Sequence, residues 1–189
     1  MGDGKKLGLC QPFERLLAAA YNVSQPRILA GTPLPEGNFD FIASTARNQG
    51  ESLRQQAAEQ FGIVARPETN ETDVLLLTLN QHNARGLKVM KISSKTRWTR
   101  LGEGQICCSN APMWDLAASL ENFMGIPVLD ETGIKGRFYG ELNWEDSGRF
   151  HPDNPEGLKR AIRDQFGLEL VPARRSIEML VVGRPADGH

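Results

Sequence analysis

Two stretches of this chain are versions of one another. Residues 53 to 67 read LRQQAAEQFGIVARP, and residues 158 to 172 read LKRAIRDQFGLELVP. Leu53/Leu158, Gln60/Gln165, Phe61/Phe166, Gly62/Gly167 and Pro67/Pro172 are identical at an offset of 105. About one identity in fifteen aligned positions would arise by chance. Charge is kept at Arg54/Lys159 and Glu59/Asp164, and VLLL at 74–77 falls on MLVV at 179–182. Upstream, at an offset of 99, Leu17, Ala18 and Ala19 fall on Leu116, Ala117 and Ala118, and Gly37 and Phe39 on Gly136 and Phe138. The change of offset predicts an insertion between Asn143 and Leu158, where the chain is polar and turn-rich. A chain that repeats this way is expected to fold one structural unit twice.

Each half reads as helix, strands, helix, hairpin. In the first, Phe13, Leu17, Ala20 and Tyr21 share a helical face. RILA and FDFIAS read as strands, and Leu53, Ala57 and Phe61 mark a second helix with Gly62 as its stop. GIVARP and TDVLLLTL are expected to form a hairpin through ETNE. In the second half, Met113, Leu116, Leu120 and Phe123 form a stripe behind Asn110 and Pro112. IPVLD and RFYGELNW read as strands; Asn154 can cap and Pro155 open the helix carrying Leu158, Ile162 and Phe166. LELVP and SIEMLVV are expected to form the last hairpin through ARR. LKVMKIS and QICCS supply strands between the halves. The expected fold is α+β: two tandem related lobes, each with two helices packed on a small, mostly antiparallel sheet. The expected spans are 11–80 for the first repeat, 81–111 for the connecting segment and 112–183 for the second repeat.

The chemistry is sparse. With 189 residues, 40% hydrophobic and a net charge of −1, the chain can build a core and carries no global field for nucleic acid. Nucleic acid is therefore not an expected partner. No apolar run approaches the ~20 residues of a membrane-spanning helix. Three cysteines are too few for a disulfide framework. Cys107 and Cys108 read as small buried hydrophobes, as does Cys10, although Cys10 bonding either of them stays open. No phosphate loop, nucleophile elbow or zinc-protease motif occurs, and His82, His151 and His189 lack metal-ligand spacing. No catalytic, cofactor-binding or metal-binding residue is assigned. Asp130-x-Thr132-Gly133 reads as an Asx turn rather than a protease aspartate, and Glu145 and Asp146 as solvated loop acids. The most biased segment is Arg85 to Arg100, with six Lys and Arg around Trp98 and no acid between Asp73 and Glu103. It could bind an anionic partner, but an edge strand guarded by lysines is the plainer reading. Trp114 and Trp144 are read as packing residues.

The run LAASLENFMGIPVLDETGIKGRFYGELNW, followed by LKRAIRDQFGLELVPARRSIEMLVV, resembles the C-terminal half of a family of soil-bacterial proteins of unknown function. Gly125, Pro127, Val128, Asp130, Thr132, Gly133, Gly136, Arg137 and Trp144 fit its pattern. Tyr21, Phe39 to Phe41 and the first QFG fit its N-terminal half, so the likeness runs from about Pro12 to Val182. Two places depart from it. Gly183 and Arg184 stand where relatives carry Asp-His, and Arg85 and Gly86 where they carry a Gly-Pro-Lys turn. The resemblance implies an exported or membrane-anchored protein, some relatives being fused to membrane peptidases. Each half is also similar to the short N-terminal domain of secretins and TonB-dependent receptors, a protein-contact module. The expected function is a non-catalytic extracytoplasmic interaction module with a protein partner in the cell envelope. Its alternatives are a small-ligand or glycan-binding domain using a cleft between the lobes, and an enzyme using Asp130 or His151. Met1 to Cys10 holds no apolar leader segment. The expectation is a periplasmic or extracytoplasmic chain whose leader is gone, with a cytoplasmic location as the alternative.

Overall fold

The computed structural model describes residues 6–43, 49–80, 86–89, 98–102, 104–144 and 155–184. The fold is mixed, with four α-helices and three sheets among these residues. It divides into two compact units: residues 1–71 with 176–189, and residues 72–175.

In the first unit, β1 (Lys6–Pro12) pairs antiparallel with β3 (Asn38–Ala43) as a two-stranded sheet. Its register sets Gly8 opposite Phe41 and Gln11 opposite Phe39, with a bulge between. Cys10 lies in the bulge at φ 53, a left-handed conformation that side chains other than Asn, Asp and Gly rarely adopt. Helix α1 (Phe13–Tyr21) starts after Pro12 and buries Phe13, Leu16, Leu17 and Ala20. The i, i+3, i+4 spacing gathers these onto one face. Asn22, at φ 56, ends the helix. Helix α2 (Gln49–Phe61) contributes Leu53 and Ala57, and Gly62 at φ 62 stops it. Phe13, Phe39 and Phe61 meet edge to face with centroids 5.0 to 5.6 Å apart, a geometry that sets ring edges on π faces. Strand β2 (Ile28–Ala30) runs parallel to residues 180–182, and Val182 closes the core.

In the second unit, β7 (Gln105–Ala111) and β9 (Phe138–Asn143) form the antiparallel centre of a four-stranded sheet. β5 (Leu87–Val89) pairs on the far side of β9, and β6 (Trp98–Gly102) on the far side of β7. A bulge separates Cys108 from Ala111, with Asn110 at φ 51. Helix α3 (Met113–Met124) buries Met113, Leu116, Ala117, Leu120 and Glu121, and Gly125 at φ 67 ends it. Helix α4 (Glu156–Ala161) continues into a π-helical turn, Ile162–Phe166, and Gly167 at φ 64 stops it. Strand β8 (Val128–Asp130) runs parallel to residues 75–77.

Two long strands serve both units: β4 (Val64–Leu79) and β10 (Leu168–Gly183), hydrogen-bonded neighbours in the sheet ordered β2-β10-β4-β8. The hairpins expected through ETNE and ARR do not form; each sequence runs straight through the middle of a 16-residue strand. Neither segment holds a glycine or a residue at positive φ, so nothing in them reverses the chain. Val74 to Leu77 therefore lie in the second unit and Met179 to Val182 in the first. The pairings are mostly antiparallel, with β2 and β8 pairing parallel.

Helix α1 buries Phe13, Leu16, Leu17 and Ala20 after Pro12, and α3 buries Met113, Leu116, Ala117 and Leu120 after Pro112. Taken in order, the two sets lie one hundred residues apart. Asn110 belongs to the strand bulge rather than the helix start. Strands β1 and β6 had no counterpart in the sequence reading.

Candidate functional site

Asp130 ends β8, and its Oδ1 accepts the Thr132 N–H at 3.1 Å and the Thr132 hydroxyl at 2.7 Å. Thr132 Oγ1 in turn accepts the Ile134 N–H at 3.1 Å, and Gly133 sits at φ 67. The carboxylate thus closes a tight turn, as the Asx-turn reading expects. Glu131 donates its backbone N–H to Leu77 O and faces Arg175 at 3.6 Å. Glu145, Asp146, His82, His151 and His189 lie outside the described residues, as does most of the basic strip from Arg85 to Arg100. Within that strip Lys88 is exposed on β5. Among the described residues no group of three His, Cys, Asp or Glu converges to hold a metal, and no helix is long and apolar enough to cross a membrane.

One carboxylate escaped the sequence reading. Glu121 is buried, and its Oε2 accepts the Val128 N–H at 2.9 Å, tying the last turn of α3 to the start of β8. The signal was its place on the stripe of Met113, Leu116, Ala117 and Leu120. At the matching place on α1 the Tyr21 hydroxyl accepts the Ala65 N–H at 3.3 Å. Both groups join a helix end to a strand, a structural task.

The three cysteines are thiols in three environments. Cys108 is buried, and burial pushes its pKa from 9.0 up to about 11. Cys107 is half-buried. Cys10 is exposed, against expectation, because its bulge turns it out of the core. Trp144 packs edge-on against Phe123 at 5.9 Å. Trp114, also expected to pack inside, is 53% exposed, since it falls off the buried stripe of α3.

Among the described residues, recesses open on each unit. One, of about 410 Å³, is lined by Asn143, Trp144, Glu156, Arg160 and Gln165 in the second unit. Gln165 clamps the Asn143 backbone, and Lys159 pairs with Glu156 at 2.9 Å, holding that carboxyl below its usual range. Another, of about 420 Å³, lies over Val64, Arg66, Val181 and Arg184 in the first unit. Neither gathers a nucleophile with a base.

The strand edges differ more. In the second unit, β5 covers β9 and β6 covers β7. In the first unit the matching strands β3 and β1 carry no further strand among the described residues. Their outward face presents Leu9 at 58% and Ile42 at 59% exposure. Along 64–71 and 168–175 the long strands carry Pro67, Glu68, Pro172 and Arg174, residues that discourage strand addition. β3 reads NFDFIA, with one charge and no proline. Unpaired backbone groups on such a strand can hydrogen-bond an incoming one.

No curated protein and no solved structure matches the chain. The family model described as protein of unknown function (DUF3738) matches residues 14–184, from α1 to the end of β10. That span takes in the β7–β9 sheet, the helices and the Asp130 turn but begins after β1, and on it the chain belongs to this family of proteins of unknown function.

Proposed function

We propose that this protein is a non-catalytic, extracytoplasmic interaction module, built from one α+β unit present twice, that binds a protein partner through strand edges of its first unit. The observation that carries this reading is that, among the described residues, no further strand adds to the β1–β3 ribbon, whereas β5 and β6 add to the β7–β9 pair. The duplication is supported by recurrences at matching positions. Cys10 and Asn110 share a bulge with positive φ, Gly37 and Gly136 precede β3 and β9 at φ 103 and 109, and Gly62 and Gly167 stop the second helices. In that reading the copies exchange strands. β2 lies on residues 180–182 of the second copy, and β8 on residues 75–77 of the first. The extracytoplasmic location rests only on the sequence resemblance, which implies exported or membrane-anchored relatives.

A photo-crosslinking residue placed at Ile42, at Leu9 and, as a control, at the exposed Arg163 tests the reading in the native cell. A discrete protein adduct from Ile42 and Leu9 but not from Arg163, recovered with the envelope fraction, is expected. Adducts absent from both strand positions, or equally abundant from Arg163, would overturn it.

A further inference from the structure

The second unit supplies a template for what the outer edge of β3 in the first accepts. β5 adds antiparallel to β9 with Leu87 opposite Gly140, Lys88 opposite Tyr139 and Val89 opposite Phe138. The matching residues of β3 are Phe41, Asp40 and Phe39, because Phe39 and Phe138 hold the same place relative to the bulges. Phe41 is buried and Phe39 half-buried, so inward and outward faces alternate as on β9, where Phe138 and Gly140 are buried and Tyr139 exposed. The centre of the edge differs in charge: an exposed Asp40 replaces an exposed Tyr139. Directly opposed residues of an antiparallel pair share a face, so the residue across from Asp40 lies beside its carboxylate on the solvent side. Asp40 Oδ1 also accepts the Cys10 N–H of β1 at 2.7 Å, which turns that oxygen toward β1, so it is the long side chain of a Lys or Arg that reaches the carboxylate from the outer edge.

Resting on the interaction reading above, we infer that the outer edge of β3 accepts, by antiparallel strand addition at Phe39–Phe41, an extended partner segment with Lys or Arg opposite Asp40 and aliphatic residues on either side. β5, with its Leu-Lys-Val, is the in-chain example of that pattern. A second copy of this chain is a poorer occupant. Two β3 strands paired in the same register would set Asp40 against Asp40, and like charges directly opposed destabilise a strand pair. The aliphatic flanks keep the added strand extended, and its backbone amides supply the hydrogen bonds.

The test uses the full chain and a short blocked peptide with a central Leu-Lys-Val between threonines, against the same peptide with Leu-Glu-Val. Hydrogen exchange is followed at residues 38–43 and 138–140. The Lys peptide is expected to protect 38–43 and to bind about five- to tenfold more tightly than the Glu peptide at low salt. Asp40→Asn keeps an acceptor for the Cys10 N–H and removes the charge, so the discrimination should vanish while the unliganded exchange pattern stays. Protection at 138–140 instead of 38–43, no protection by either peptide, or equal affinity of the two on the unaltered chain each overturns the inference. If crosslinks from Ile42 persist in cells when the peptide result is negative, the edge chemistry is wrong and the interaction reading stands. Loss of those crosslinks removes the reading itself.

Discussion

The β1–β3 ribbon of the first unit and the β7–β9 pair of the second are alike in outline and differ in how they are finished. Both are antiparallel, both bulge next to a left-handed residue, and both lead into a helix behind a proline. They differ in how the space over the strands is filled. In the first unit Gly8 faces Phe41, and the ring lies over the glycine. In the second, Cys108 faces Gly140, so the small residue has moved to the other strand. The space over Gly140 is taken by Phe166 from the π-helical turn and by Leu87 of β5. Phe61, the counterpart of Phe166, is only half-buried. One aromatic ring fills the notch in each unit, from a cross-strand neighbour in one and from a helix end in the other. Close packing permits either solution but not both at once. Where the helix end and β5 close the notch the sheet has four strands; where Phe41 closes it, the described residues form two.

The sharpest way to break this comparison is to remove the two helix-end rings. Phe166→Ala should cost about 3–5 kcal/mol in chemical denaturation, as for a fully buried aromatic. Phe61→Ala should cost clearly less, because Phe41 already fills the notch. Equal losses would show that the two rings do the same work and that the comparison is mistaken. A methyl group added at Gly8 would fall on the Phe41 ring, so Gly8→Ala should destabilise by about 1–3 kcal/mol. Combining it with Phe41→Leu should recover part of that loss, and strict additivity in the double-mutant cycle would refute direct contact as the cause. The smallest effect concerns the other small residue of the pattern. Cys108 has its pKa raised from 9.0 to about 11 by burial, so folding favours the neutral thiol. Its contribution is complete below pH 9 and is lost as pH rises from 9 toward 11. Thermal midpoints from pH 8 to 11 should fall faster for the native chain than for Cys108→Ala. Parallel curves would place the thiol in water.

Much of this was legible in the residues. Leu53 and Ala57 on α2, and Leu116 and Leu120 on α3, follow the helical period, and Gly62 and Gly167 stop their helices where read. The Asp130 turn was legible because an Asx turn is closed by neighbours two residues away. Errors arose where the deciding contact was distant. Cys10 looked like a core residue until its bulge with β3 turned it outward, and Trp114 until the phase of α3 was set by its packing. Glu121 looked like a surface acid because its partner, the Val128 N–H, comes from the next element. The two-stranded ribbon was invisible, since β1 had no signal of its own and which strands lie beside β3 among the described residues is a fact of pairing.

What the sequence determined by itself is local: two similar stretches, their helix faces, their glycine stops and a closing turn. Each follows from periodicity or from φ preferences that act within a few residues. Only the tertiary structure decided that ETNE and ARR run straight, that Ile28 meets Leu180 and Val128 meets Leu75, and that β5 and β6 add to β7–β9 while, among the described residues, no further strand adds to β1–β3. An apolar run such as VLLL or MLVV specifies that a strand be buried, not which strand it lies against. Two runs of the same character can trade partners without altering the pattern that sequence displays.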